Sequence, residues 1–353
     1  MSARPLDAAA VAERLGFAPG TQARRWVDEL EKLGPPPPAL APAPLEAGVA
    51  AERLAWLGVP DEDASDVLAT LPSPDRAPEW WWCLEREVHR VASTMGEPDA
   101  ERGTWPAFEG PSEPLDRRCH FVHAALSVVP FTLAHYAELG VPEDIVRDSL
   151  ADVARHMGIH RRVHGATGVD AAWWVTLCLR AEIVDLGRLQ YNRFSLGIGD
   201  ESPLWYPEDD AAAFGPGFRP GDPCLGVHIP EGSPLSPELV GESLGRAARF
   251  FAEHDPVDQR RVATCMSWLL DDQLAEYLPA ESNIVSFHRR FELVPGWFDG
   301  DGEVLQFVFR VAGDWTDFDA LPQRSRLERA AVAHLRAGRH WRMRTGWLDL
   351  PGD

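Results

Sequence analysis

Through the first half of the chain, apolar residues return every three to four positions, the spacing of helices that bury one face. DAAAVAERLGF (7–17) and TQARRWVDELEKLG (21–34) read as two short helices, each with a glycine near its end. PPPPALAPAP (35–44) is a stiff, extended spacer, because proline fixes φ and offers no donor. Residues 46–72 repeat the first pair in kind: a helix, a glycine turn, then an acid-rich helix start. EWWWCLEREVHRVASTMG (79–96), DRRCHFVHAALSVVPFTLAHYAELG (116–140) and VPEDIVRDSLADVARHMG (141–158) continue the helical character. AAWWVTLCLRAEIVDLG (171–187) predicts one last helix of this half.

After about Gly165 the texture changes. GRLQYNRFSLGIG (187–199) predicts a strand, followed by a polar connection rich in proline and glycine from Asp200 to Pro223. CLGVHIPEGSPLSPELVGESLGRAARFF (224–251) begins as a short apolar strand, breaks at Ile229–Gly232 and becomes an amphipathic helix. Ser236 suits its cap and Pro237 its first turn, with Val240, Leu244, Ala248 and Phe251 as the buried stripe. RRVATCMSWLL (260–270), GEVLQFVFRVAG (302–313) and HWRMRTGWLDL (340–350) predict strands, and SNIVSFHRRF (282–291) and RSRLERAAVAHLRAG (324–338) predict helices. The fold class is therefore α+β, with a helical N-terminal domain over 1–165 and an α/β domain over 166–353.

Composition sharpens this only in places. With 353 residues, 45% hydrophobic and 25% charged, the chain has room for two cores. A formal charge of −21 argues against a nucleic-acid or anionic-membrane binder, since both repel it at long range. Neither a secretory leader nor an apolar run of spanning length is present, and five scattered cysteines form no CxxC pair. A reduced, cytoplasmic protein is expected. Lys32 is the only lysine among many arginines, a bias of high-GC bacterial coding.

Several features invite a chemical reading, each beside a plainer one. The helix beginning near Ser236 either simply packs on the sheet or offers its first N–H groups to a phosphate, with Glu231 and Glu238 competing for that end. His156, His160 and His164 would share one face of an uninterrupted helix and could hold zinc; Gly158 and Gly165 argue for a broken, basic turn, and no metal is expected. Seven arginines against Glu328 between Arg324 and Arg344 are a solvated face or a phosphate-binding patch. Cys265 is either inert packing or a nucleophile for a hydrolase or ping-pong transferase. The tryptophans, including Trp80–Trp82 and Trp173–Trp174, are core residues or lining for an acyl or aromatic substrate.

Four segments, LGRLQYNRF (186–194), HIPEGSPLSPE (228–238), CMSWLLDDQL (265–274) and SNIVSFHRRF (282–291), resemble in order and spacing the bacterial two-domain acyltransferases with a helical N-terminal domain and a GNAT-like C-terminal domain. The likeness is good from about Asp170 to Phe309 and looser over the helical half. It implies a mixed, V-splayed sheet with helices on both faces, and an N-acyltransferase. An acyl group would pass from acyl-CoA, as co-substrate, to the amine of a small biosynthetic molecule, without an acyl-enzyme. It also implies that coenzyme A lies between strand 225–229 and helix 238–253. The site would include Val227, His228, Ile229, Gly232, Ser233 and Ser236, with the pyrophosphate on the turn from Pro230 to Ser236. His228 or Glu231 would be the base, an N–H near Val227 or His228 would hold the oxyanion, and Tyr277 or His288 would be the acid. HIPEGSPLSPE departs from the Q/RxxGxG/A loop usual in GNAT enzymes. A carrier-protein or aminoacyl-tRNA donor, and a non-catalytic binding module, are the alternatives.

Overall fold

A computed structural model describes residues 6–98, 100–101, 103–196, 221–255, 262–311 and 313–351. The chain divides into two compact units, Met1–Val184 and Asp185–Asp353. The last helix of the helical half belongs to the first unit, so the division lies beyond the expected 165/166 boundary. Among the described residues, no helix is long and apolar enough to cross a membrane.

The first unit is built from α1 (Ala8–Leu15), α2 (Gln22–Leu33), α3 (Ala47–Trp56), α4 (Asp61–Ala69), α5 (Pro78–Ala92), α6 (Leu115–Glu138), α7 (Glu143–Leu150), α8 (Asp152–His164) and α9 (Ala172–Leu179). Its core is aromatic: Phe17, Trp26, Trp80, Phe108 and Phe121 meet edge-on or stacked at centroid separations between 5.3 and 6.2 Å. Inside it, Glu87 accepts from Trp26 Nε1 at 3.0 Å and lies 2.8 Å from His120 Nε2, and both partners of that pair are fully buried. Such a pair persists because each oxygen is bonded; an unmatched buried charge would be far more costly. Pro130 sits inside α6 and cannot donate to the carbonyl of Leu126. Arg53 Nη1 donates to that carbonyl instead, at 2.6 Å, which explains how a 24-residue helix tolerates an internal proline.

Three expectations about elements change. α8 runs unbroken through Gly158, because the buried neighbours Val153, Met157, Ile159 and His160 outweigh the roughly 1 kcal/mol that a helical glycine costs. The helix expected over 171–187 ends at Leu179, where Ala181 (φ 55°) turns the chain left-handed into β1 (Ile183–Asp185). The strand expected over 302–313 is instead α12 (Asp301–Val304) followed by a π-helical turn, Leu305–Phe309. Val304, Leu305 and Phe309 are buried while Phe307 is exposed, a helical rather than alternating burial pattern.

In the second unit β2 (Gln190–Ser195), β3 (Pro223–His228), β4 (Val262–Ser267), β5 (Glu292–Leu293), β6 (Phe298–Asp299) and β7 (Arg342–Asp349) build the sheet. The strand order is β1-β2-β3-β4-β7-β5, with β6 pairing β7 off that path. β3 and β4 are parallel, whereas β2–β3, β4–β7, β5–β7 and β6–β7 are antiparallel. The remaining helices are α10 (Pro237–His254), α11 (Asn283–His288) and α13 (Arg326–Arg336). α10 buries Val240, Ser243, Leu244, Ala247, Phe250 and Phe251. Ser243 Oγ meets Leu189 N–H at 3.2 Å and the Tyr191 hydroxyl at 3.1 Å, tying the helix to β2 and the residue before it. The connection from Asp200 to 220 lies outside the described residues.

Candidate active site

β3 and β4 pair in parallel through Leu225↔Ala263 and Gly226↔Thr264, between the antiparallel pairs β2–β3 and β4–β7. β4 continues beside β7 to Ser267↔Arg344, while β3 continues to Val227 and His228 beside β2. Among the described residues the β3–β4 ladder has no pair beyond Gly226, so the two strands part there.

Val227 is buried and His228 half-buried at the end of β3. His228 Nε2 lies 2.9 Å from Asn192 Oδ1 on β2, a residue that the sequence patterning left unassigned to any site. The chain then turns through Ile229–Leu235 into α10. Gly232 has φ 150°, a backbone conformation that favours glycine. Ser236 Oγ accepts from Leu239 N–H, and Pro237 at the first position has no N–H to give. Two of the helix's early donors are thus already spent or missing, which leaves less free polarity at this end than the sequence pattern suggests.

Cations from elsewhere in the unit surround the turn. Arg188 Nη1 donates to Pro230 O at 3.1 Å, and Arg290 Nη2 donates to Pro237 O at 2.7 Å. Glu231 forms an ion pair with Arg310, which follows the π-helical turn. Three guanidinium groups from distant points in sequence therefore sit around residues 230–237. Spacing along the chain carries no signal for such a convergence.

The remaining expected site residues are placed differently. Tyr277 bonds through its hydroxyl to His334 Nδ1 at 3.0 Å and to Arg339 at 3.5 Å, within the cluster that includes Trp341. His288 closes α11, where burial pushes its imidazole below the ordinary range. Cys265 is buried on β4, and burial pushes its thiol up to about 12. A thiol so protonated at neutral pH is a poor nucleophile.

Two further clusters take structural roles. His156 and His160 face different partners: His156 approaches Asp152 and Asp170 at 3.5 and 3.8 Å, and His160 Nδ1 lies 2.9 Å from Ala166 O. Asp299, Asp301 and His340 bring one ligand atom each within 4.8 Å of one another. Asp301 already accepts from Trp341 N–H at 2.7 Å and lies 2.7 Å from His340 Nδ1, which pins the start of β7. In the arginine-rich stretch, Arg336, Arg339 and Arg344 pair with Asp319, Glu276 and Asp272.

Comparison with known proteins shows the family of the chain. Residues 183–348 match a family model described as a GNAT-like C-terminal domain, and residues 49–181 match an N-acyltransferase N-terminal domain. No curated protein matches the sequence. Among solved structures, a tryptophan-to-alanine variant of an acyltransferase in complex with octanoyl-CoA is 36% identical, with a TM-score of 0.83. An acyltransferase in complex with decanoyl-CoA and teicoplanin is 37% identical, with a TM-score of 0.82. An acyltransferase in complex with CoA and 10C-teicoplanin is 36% identical, also with a TM-score of 0.82. Each alignment covers 98% of this chain and 100% of the other. The chain therefore belongs to the acyltransferases that join an N-acyltransferase N-terminal domain to a GNAT-like C-terminal domain.

Proposed function

We propose that this enzyme transfers a medium-chain acyl group from acyl-CoA to an amine of a natural product of teicoplanin's kind, by direct attack. The observation that carries the reading is the parting of β3 from β4 just before His228, continued by the turn and capped helix α10. Successive backbone amides of a strand point to opposite sides, so one of the Val227 and His228 N–H groups is directed toward β4. That amide is the donor for a thioester oxyanion, and a fixed donor there acts without reorganisation. The octanoyl and decanoyl chains and the teicoplanin held by the related acyltransferases support the donor and acceptor classes.

In the proposed reaction the acceptor nitrogen attacks the thioester carbonyl. The C–N bond forms, the C–S bond breaks, the amine proton passes to His228, and the departing thiolate takes up a proton. His228 is the better base than Glu231, whose carboxylate is already held by Arg310. Of the two expected acids, the Tyr277 hydroxyl is committed to His334 and Arg339, and burial lowers the His288 imidazole and so favours its neutral form, which leaves neither as the preferred donor. Val227, Ile229, Gly232, Ser233 and Ser236 line the CoA side, with Arg188, Arg290 and Arg310 supplying charge to its phosphates. Arginine forks suit phosphate oxygens, and they stand in for the missing Q/RxxGxG/A loop.

The test is mass spectrometry of products after mixing the enzyme with acyl-CoAs from acetyl to dodecanoyl and a deacylated teicoplanin-type amine. An amide product strongest with octanoyl- or decanoyl-CoA is expected. Hydrolysis without amide formation, or indifference to chain length, would contradict the reading.

A further inference from the structure

Asn192 and His228 sit on neighbouring antiparallel strands, in a register that places Asn192 directly opposite Gly226 and Gln190 opposite His228. Asn192 and His228 are thus diagonal neighbours, and a side chain on one reaches the other only by crossing the residue between them. Here that residue is Gly226. A Cβ at position 226 would stand 2.1 Å from Asn192 Oδ1 and 3.3 Å from His228 Nε2. The absence of a side chain at 226 is what lets the amide lie across β3 and meet the imidazole.

The orientation of that amide is fixed by its other end, where Asn192 Nδ2 donates to Arg193 O at 3.2 Å. Oδ1 therefore faces His228, and as an acceptor it requires a proton on Nε2. Nδ1 is then the basic nitrogen of the neutral ring. Asn192 is buried, so its amide is held in place rather than exchanging with water.

We infer that Asn192 is a positioning residue for His228: through the gap left by Gly226 it fixes the Nε2–H tautomer and the ring orientation for proton abstraction. The inference rests on the reading of His228 as the general base. Asn192 is uncharged, so it selects the tautomer without adding the full charge of a carboxylate, which would raise the imidazole's affinity for its proton.

The test uses the full chain with decanoyl-CoA and the amine acceptor, for Asn192→Ala, Gly226→Ala, the double variant, Asn192→Asp and His228→Ala. Asn192→Ala and Gly226→Ala should each lower kcat about 10- to 100-fold, part of the roughly 10²- to 10⁴-fold that a general base supplies. KM for decanoyl-CoA should stay within about threefold, since the donor site is intact. Gly226→Ala acts by displacing the Asn192 amide, so the double variant should be no slower than Asn192→Ala alone. Asn192→Asp keeps an acceptor and should recover most of kcat, with the acidic limb of the rate profile moved to higher pH.

Losses that multiply in the double variant, or an Asn192→Asp profile whose limb does not move, would overturn the inference while leaving His228 in its role. Turnover that survives His228→Ala would overturn both. Circular dichroism and octanoyl-CoA binding show whether each variant is folded. If Gly226→Ala fails to fold, the Asn192 pair alone decides the question.

Discussion

Two of the histidines that meet a polar partner through Nε2, His120 in the helical unit and His228 in the α/β unit, sit in very different surroundings. His120 is fully buried, 2.8 Å from Glu87 and 4.6 Å from the centre of the Trp80 ring. Trp26 and Phe121 also pack against it, and its bond completes a core. His228 is half-buried at a strand end, 2.9 Å from an amide and beside a parting of the sheet. A carboxylate partner in a closed core stabilises structure; under the proposed reading, a neutral partner at an opening leaves the ring able to trade protons with a substrate. Partner chemistry and access, more than the bond itself, distinguish the two.

The largest effect that would test the contrast is on stability. Glu87→Ala removes the acceptor of both Trp26 and His120, and breaking a buried pair of this kind costs about 3–5 kcal/mol. Urea titration should show that loss, whereas kcat of the protein that remains folded should be unchanged. A fall in kcat at full folding would break the division of labour between the two histidines.

A smaller effect comes from pH. Burial pushes His123 of α6 down to about 4, against about 6.5 in an unfolded chain. Between those values the unfolded chain binds a proton that the folded ring refuses, so stability falls as pH drops from about 6.5 towards 4. His123 accounts for about 2 kcal/mol of loss at pH 5. Urea midpoints at pH 7 and pH 5 should therefore differ less in His123→Asn than in the wild type, and an unchanged slope would contradict the assignment.

Much of this arrangement was legible along the chain, for identifiable reasons. Pro230, Gly232, Ser236 and Pro237 punctuate the turn before α10 so strongly that strand, break and capped helix all fall where the pattern puts them. Residues 304–309 did not, because Val-Leu-Gln-Phe-Val-Phe fits a two-residue period as readily as a helical one, and only burial of Val304, Leu305 and Phe309 decides. α8 passes through Gly158 because packing on both sides outweighs propensity. At the site, the strand end points to His228 and Glu231 alike. It does not point to Asn192, whose meaning comes from a register 36 residues distant and from what Gly226 lacks.

The smallest expected effects are two near-nulls. Cys265, with its thiol pushed up to about 12, should resist iodoacetamide at pH 8 while the protein is folded, and no acyl adduct should accumulate on it with decanoyl-CoA alone. A stoichiometric adduct seen by intact mass would point to a ping-pong route. Glu231→Gln should leave kcat within about threefold, as expected of an exposed ion pair worth about 1 kcal/mol or less. It should also tighten CoA binding slightly by releasing Arg310, and a kcat loss of 100-fold would return Glu231 to the role of base.

The most direct measurement is single-turnover transfer from saturating decanoyl-CoA by His228→Ala beside the wild type, with octanoyl-CoA affinity measured on both. A rate at least about 100-fold lower at unchanged affinity is the outcome predicted for a base at the end of β3. A rate within about threefold of wild type would contradict that placement of the chemistry.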